Sequence, residues 1–194
     1  MPEKRVVIVS GASRGIGAAT ARWLAKAGAA VTLFARSADG LVAVAKDVQQ
    51  LGGAALVCKG DVSDAGTCRT AVAKTLKRFG RLDAVVNNAG MVEPLAPVSG
   101  SDVDRWQYNI AVNLLGPFYM IRAAIADLRE QSGRIVNVSS GAATISIENA
   151  SAYETSTVDI SGGSVGYLDG FDSSSFHLSG AASPRRRRKI HRSR

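Results

Sequence analysis

The stretch Ser10-Gly11-Ala12-Ser13-Arg14-Gly15-Ile16-Gly17 decides the fold, because the segments on its two sides have different patterns. Residues 5–10 are short, β-branched and apolar, which is typical of a strand buried on both faces. Residues 15–27 are rich in alanine and predict a helix that Gly28 ends. Glycines in such a strand–turn–helix unit let the backbone approach a pyrophosphate, to which the helix N-terminus offers free N–H groups. The Gly-Lys-Ser/Thr ending of a P-loop is absent from the stretch, which argues against that alternative.

Strand and helix patterns alternate from residue 5 to about residue 140. Further strands are predicted at 30–35, 54–58, 82–87 and 134–139. Helices are predicted at 40–51, at 64–78 with Ser63 or Asp64 as N-cap, and at 103–130, as one helix or as two with a bend at Gly116-Pro117. Strands separated by helices imply right-handed crossovers. The predicted fold class is α/β, a doubly wound parallel sheet in a three-layer arrangement.

The composition changes after about residue 153. Residues 158–183 are dominated by Ser, Gly, Asp and Ala without a sustained apolar period, which predicts an irregular or disordered segment. The expected organisation is a nucleotide-binding domain at 1–157 and a Ser/Gly-rich tail at 158–194 that ends in a basic run.

The net charge of +8 belongs to that basic run rather than to the domain. Residues 185–194 carry seven Lys and Arg and no acid, whereas the other 184 residues have 17 Lys and Arg against 16 Asp and Glu. An arginine-rich tail can bind nucleic acid or an anionic surface by charge alone, and this non-specific binding is an alternative function of another class. Specific reading of nucleic acid is not expected, since no aromatic residues interleave the run.

The sequence predicts a chain that neither crosses a membrane nor is exported. It has no run of eighteen or more apolar residues, and its N-terminus lacks the long apolar stretch of a signal peptide. The two cysteines, Cys58 and Cys68, are too few for a disulfide framework or a cysteine-based zinc site. No metal site is predicted, and the expected location is the cytoplasm.

Five motifs in order, over roughly residues 5–155, identify the chain as resembling the short-chain dehydrogenase/reductase family. Its Gly-x-x-x-Gly-x-Gly spacing differs from the Gly-x-Gly-x-x-Gly dinucleotide fingerprint and matches that family's glycine-rich turn. The other motifs are Asp61-Val62, Asn87-Asn88-Ala89-Gly90, Asn113 within Ala111-Val112-Asn113-Leu114, and Ile135-Val136-Asn137-Val138-Ser139-Ser140 followed thirteen residues later by Tyr153. The resemblance implies a Rossmann-type fold. The cofactor-binding residues that it and the turn chemistry indicate are Gly11, Ser13, Arg14, Gly15, Ile16, Gly17, Arg36, Asp61, Val62, Asn88, Ala89 and Gly90.

The resemblance also implies catalytic roles for Asn113, Ser140 and Tyr153. Tyr153 would exchange a proton with the substrate oxygen while hydride passes between nicotinamide and carbon. Ser140 would orient the carbonyl, with Ser139 as the alternative one position away. Asn113 would hold a water in a proton relay, or else satisfy backbone groups at a helix bend.

The cofactor is predicted to be NADP(H), with NAD(H) as the alternative. Enzymes that prefer NAD usually place a carboxylate at the end of the second strand, where it binds the ribose hydroxyls. Here Ala35 occupies that position and Arg36 follows it, while Arg14 lies in the glycine-rich turn. Two guanidinium groups favour a 2′-phosphate through charge and bidentate hydrogen bonds, unless Arg36 is only a solvated loop residue.

The chain departs from the family pattern after Tyr153. The family has a lysine four residues after the tyrosine, which lowers the tyrosine pKa, but Thr157 stands there. Nothing in 158–194 resembles the family's last two strands, so the sheet is expected to be incomplete at its C-terminal edge. A truncated or out-of-frame terminus is the expectation, and a catalytically impaired chain that only binds nucleotide is the alternative function.

The substrate class implied is a small-molecule carbonyl or alcohol. The stretch Ala89-Gly90-Met91-Val92-Glu93-Pro94, with Trp106, resembles the branch of sepiapterin and benzil reductases. A 3-oxoacyl thioester reductase is an equally ordinary alternative. The resemblance implies a homo-oligomer, although the missing terminal part would commonly form one of its faces.

Overall fold

Five strands alternate with helices over residues 4–140, which are the residues that the computed structural model describes. The strands are β1 (Val6–Ser10), β2 (Ala30–Ala35), β3 (Ala54–Lys59), β4 (Ala84–Asn87) and β5 (Arg134–Asn137). The helices are α1 (Gly15–Lys26), α2 (Ala38–Gln50), α3 (Ala65–Phe79), α4 (Val103–Ile110) and α5 (Gly116–Glu130). A short 3₁₀-helix covers Val98–Gly100, and a π-helix, Ala111–Leu115, joins α4 to α5.

The strands form one parallel sheet in the order β3-β2-β1-β4-β5. The chain therefore winds outward from β1 in one direction to β3 and in the other direction through β4 to β5. Where the winding direction changes, between β1 and β4, the connections leave on opposite faces and open a crevice at the carboxyl edge of the sheet. The predicted doubly wound α/β class is confirmed, and the crevice is where a ligand is expected.

Alternating side chains of the central strands fill two apolar cores, one on each face of the sheet. Val7, Val9 and Leu33 pack with α1 and α2 on one face. Ile8 and Phe34 pack with α3 and α5 on the other face. Every residue of β1 and β2 is buried, as predicted for strands covered on both sides.

One helix and two strands begin or end at residues other than those predicted from the sequence. β4 begins at Ala84 rather than at residue 82, and β5 ends at Asn137 rather than at residue 139. The register explains the second difference, because Asn137 pairs with Asn87, the last residue of β4. Helix α2 begins at Ala38 rather than at residue 40, since the Ser37 side chain caps it by accepting from the Gly40 N–H.

One continuous helical segment, Val103–Glu130, is long and apolar enough to be a membrane-span candidate by length and composition. A count of unbroken apolar residues did not reveal it, because charged residues interrupt the run. This is weak evidence, since core helices pass the same test. Met120, Ala124 and Leu128 of this segment are buried in the core against the sheet.

Asp83 ties the starts of three strands together. Its Oδ2 accepts from the Val6 N–H at 2.8 Å, and Arg81 donates to both carboxylate oxygens at 2.9 and 2.6 Å. Its backbone bonds to Val6 and to Arg134. Burial alone would raise the pKa of Asp83, but the bonds from Arg81 and Val6 outweigh it and hold the pKa below its usual value of 3.8.

We expect Asp83→Asn to lower the free energy of unfolding by about 1–3 kcal/mol, because the Arg81 guanidinium loses a charged partner in a mostly buried pair. The carboxylate contribution is fully present above the unfolded-state pKa and is lost as pH falls through the lower folded-state pKa. Urea unfolding should therefore show a constant difference from about pH 5 to 7 that shrinks only below about pH 4.

Asp47→Asn is the matched control. Asp47 pairs with Arg22 at 2.7 Å, but both side chains are about 40% exposed, so this change should alter stability by less than about 1 kcal/mol. Equal effects of the two substitutions would contradict the anchoring role of Asp83.

Candidate nucleotide-binding site

A cavity of about 750 Å³ opens at the carboxyl edge of the sheet, where the strand order changes direction. The loops that follow β1, β2, β3 and β4 surround it. Its lining residues are Gly11, Ser13, Arg14, Gly15, Ile16, Ala35, Arg36, Ser37, Gly60, Asp61, Val62, Asn88, Ala89, Gly90, Met91 and Val112. All the residues predicted to bind a cofactor are in this set except Gly17. Ala35, Ser37, Gly60, Met91 and Val112 are the cavity residues that the sequence did not indicate.

The glycine-rich turn between β1 and α1 has no room for side chains at two positions. Gly11 has a φ of +65°, and a Cβ there would lie 2.8 Å from Asn88 Nδ2. A Cβ on Gly17 would lie 2.4 Å from the Gly11 carbonyl oxygen. Gly17 therefore lies under the turn rather than in the cavity wall, and its part is to let α1 approach the turn closely.

The N-terminus of α1 faces this turn, and its N-cap residue does not cap it with a side chain. Arg14 is the N-cap residue and makes no side-chain capping bond, and the first turn contains no acid. Unpaired N–H groups and the positive end of the helix dipole together attract an anion. The turn is thus suited to a phosphate group.

Partly buried hydrogen bonds of Ser10 and Asn88 join this turn to the loop after β4. Ser10 Oγ accepts from the N–H groups of Asn88 and Ala89, both at 3.0 Å, and donates to the Val86 carbonyl at 3.3 Å. The Asn88 amide donates to the Ser10 carbonyl at 3.0 Å. The sequence predicted no role for Ser10, whose one signal is a polar residue at the end of an apolar strand.

Asp61 lines the cavity from the loop after β3, with its carboxylate held in place by hydrogen bonds. Its Oδ1 accepts from the N–H and the hydroxyl of Ser63, at 3.0 and 2.9 Å, and its Oδ2 accepts from the Tyr108 hydroxyl at 2.5 Å. Burial alone would raise the pKa of Asp61, but these bonds and the charge of Arg36 lower it below 3.8. The carboxylate is ionised at neutral pH.

Asn113 lies in the π-helix between α4 and α5 and forms hydrogen bonds with the loop after β4. Its Oδ1 accepts from the Met91 N–H at 2.9 Å, and its Nδ2 donates to the Met91 carbonyl at 2.7 Å. It also donates to the Oδ1 of Asn109 at 2.8 Å. Asn109 is fully buried and donates to the Met91 and Glu93 carbonyls. The sequence did not indicate Asn109, although its spacing of four from Asn113 was a possible signal.

Ser140 is three residues beyond β5 and therefore follows the same carboxyl edge of the sheet. Tyr153 and Thr157 lie outside the described residues, as do the boundary at 157–158 and the basic run. The catalytic roles predicted for Asn113, Ser140 and Tyr153 stay predictions. Among residues 4–140, the structure assembles the part of the site that would bind a nucleotide.

Comparison with known proteins places the chain in a family. The family model described as short chain dehydrogenase matches residues 5–162, and the chain belongs to this family of oxidoreductases. The resemblance seen in the sequence is confirmed.

Individual relatives are longer than this chain. It is 39% identical over 158 residues to 11-beta-hydroxysteroid dehydrogenase A of Sesamum indicum, covering 81% of this chain and 45% of that protein. It spans about half the length of the first curated relatives it matches. An alcohol dehydrogenase structure from the archaeon Thermococcus sibiricus, complexed with 5-hydroxy-NADP, is 34% identical with a TM-score of 0.76, over 79% of this chain and 66% of that one. Carveol dehydrogenase from Mycobacterium avium, in complex with NAD, is 26% identical with a TM-score of 0.75, over 78% and 60%.

Proposed function

We propose that the cavity binds NADP(H) and that the chain's chemistry is hydride transfer between the nicotinamide and a carbonyl or hydroxyl carbon of a small molecule. The observation that carries the cofactor choice is the residue after β2. Arg36 lines the cavity there, at the place where a carboxylate would bind ribose hydroxyls and repel a 2′-phosphate. Arg14 lines the same cavity from the turn after β1.

The residues present fit a dinucleotide along the carboxyl edge. The uncapped start of α1 and the close turn at Gly11 would take the pyrophosphate. Asp61 and Val62 would contact the adenine, as the resemblance implies. Asp61 is the one acidic residue among the described residues that line the cavity. Its carboxylate already accepts hydrogen bonds from Ser63 and Tyr108, which stabilise its negative charge.

The comparisons support a nicotinamide dinucleotide in general. One similar structure is described with an NADP derivative and another with NAD, so the preference for NADP(H) is argued from Arg36 and Arg14. Bound cofactor would supply or accept the hydride. The protein's own residues would orient the substrate and exchange its proton, at Ser140 and Tyr153.

We expect Arg36→Ala to weaken binding of NADPH about ten- to hundredfold and to leave NADH binding nearly unchanged. The reason is that hydrogen bonds between charged groups contribute about 1.5–3 kcal/mol, and only NADPH carries the phosphate that would receive them. Fluorescence titration of the full chain with each cofactor measures both dissociation constants.

Arg22→Ala is the matched control, because it removes the same charge from α1 outside the residues that line the cavity. It should leave both constants unchanged. Comparable affinity of the unmodified chain for NADPH and NADH, or an equal loss of both in Arg36→Ala, would contradict the proposed preference.

A second candidate function, nucleotide binding without efficient turnover, follows from Thr157. Threonine carries no charge, so it cannot lower the pKa of Tyr153 as the family's lysine does. A phenol with a pKa near 10 is a poor proton exchanger at neutral pH without such help.

We expect the chain to bind NADPH but to oxidise it slowly with a small diketone, at well under the usual enzyme range of about 1–1000 per second. Tyr153→Phe should then change the rate little, because the phenol contributes little. Absorbance of NADPH with and without the diketone measures the rate. Turnover in the usual range that disappears in Tyr153→Phe would show that the chain is a competent enzyme.

The substrate beyond its class, a carbonyl or alcohol, is proposed only from resemblance. The stretch Ala89–Pro94 with Trp106 favours a ketone or diketone of the kind that sepiapterin and benzil reductases use.

The two cysteines are free and buried, and burial raises the pKa of Cys68 to about 12. Unreactive thiols of this kind fit the cytoplasmic location that we propose.

A further inference from the structure

Three side chains from three different elements meet beside the adenosine end of the cavity. Arg36 follows β2, Asp61 follows β3, and Tyr108 lies on α4. Arg36 Nη1 donates to the Tyr108 hydroxyl at 2.6 Å, and this hydroxyl donates to Asp61 Oδ2 at 2.5 Å. Tyr108 is not among the residues that line the cavity, whereas the two residues that it joins are.

The chemistry of the three groups fixes the direction of these bonds. A guanidinium can only donate and an ionised carboxylate can only accept, so the phenol must accept from Arg36 and give its single proton to Asp61. Burial and the hydrogen bond to Asp61 raise the pKa of Tyr108 above its usual value of 10, which keeps the hydroxyl protonated at neutral pH. The relay is therefore Arg36 to Tyr108 to Asp61.

The phenol also separates two opposite charges. Arg36 Nη1 and Asp61 Oδ2 are 4.0 Å apart, at the limit of a direct ion pair, with the hydroxyl between them. The guanidinium lies 5.8 Å from the centre of the Tyr108 ring, within the range of a cation–π contact. Without the hydroxyl, the guanidinium would be free to close on the carboxylate, and a paired guanidinium attracts a phosphate less.

The Arg36 side chain keeps most of its hydrogen-bonding capacity in this arrangement. It is 66% exposed, and its bond to Tyr108 uses one of the five N–H groups of the guanidinium. An anchored guanidinium also loses less conformational freedom when it binds a phosphate than a free side chain does.

We propose that Tyr108 is a specificity-determining positioning residue, which holds Arg36 apart from Asp61 so that its guanidinium can bind the 2′-phosphate of the cofactor. This inference rests on the proposed preference for NADP(H). Helix α4 would thereby take part in cofactor selection, although its Tyr108 does not line the cavity.

The test uses two probes that differ only in the phosphate of interest, adenosine 2′,5′-bisphosphate and adenosine 5′-monophosphate. The dissociation constant of the monophosphate divided by that of the bisphosphate, both measured by calorimetry on the full chain, reports recognition of the 2′-phosphate alone. We expect Tyr108→Phe, which keeps the ring and removes the hydroxyl, to lower this ratio about fivefold. General damage to the site would weaken both probes equally and leave the ratio unchanged.

Two further variants separate positioning from other effects. Tyr119→Phe removes a hydroxyl from α5, outside the cavity lining, and should leave the ratio unchanged. In an Arg36→Ala background, Tyr108→Phe should have no further effect on the ratio, because Tyr108 acts through Arg36.

The outcomes distinguish this inference from the proposed function. If the unmodified chain prefers the bisphosphate and Tyr108→Phe keeps or increases that preference, the role of Tyr108 is wrong while the NADP(H) proposal stands. An equal fall of the ratio with and without Arg36 would also overturn the role. If the unmodified chain shows no preference, or binds neither probe, both proposals fail.

Discussion

The buried hydroxyl of Ser10 holds together the two loops on which the site depends. It lies at the end of β1, next to the place where the strand order changes direction, and receives two N–H groups of the loop after β4. The missing side chain at Gly11 lets that loop approach, and the missing side chain at Gly17 lets α1 approach. The start of α1 can thus face a crevice with its N–H groups uncapped. In our proposal, close backbone packing rather than a set of charged ligands creates the place for a pyrophosphate.

Among the described residues that line the crevice, cations outnumber carboxylates. Arg14 and Arg36 supply two cations to the lining, and the single carboxylate there, on Asp61, already accepts hydrogen bonds from Ser63 and Tyr108. The held carboxylate can remain close to a cation without neutralising it fully. Family membership supports a nicotinamide dinucleotide in general, and the preference for NADP(H) that we propose is argued from these few side chains.

The sequence predicted the sheet and most of the cavity because both depend on local patterns. β-branched runs separated by helical periods specify a parallel sheet, and glycine spacing specifies the turn after β1. The start of β4 and the end of β5 were misjudged because the register between strands, which composition does not contain, determines where pairing begins and stops. Tyr108 escaped prediction because its partner Asp61 is 47 residues away, and the bond from Asn109 to the loop after β4 reaches Glu93, 16 residues away. Such contacts exist only once the loop after β4 and helix α4 are folded against the sheet.

Hydrogen exchange of the full chain, with and without NADPH, tests the central claim most directly, because it locates the bound nucleotide along the backbone. The account predicts slower exchange of the amides at 11–17 and 88–91, with a smaller effect from NADH. A free nucleotide that bound only by charge to the basic run would instead slow exchange at 185–194 and leave the turn after β1 unchanged. That second result, or no protection at all, would contradict the assignment of this cavity as the cofactor site.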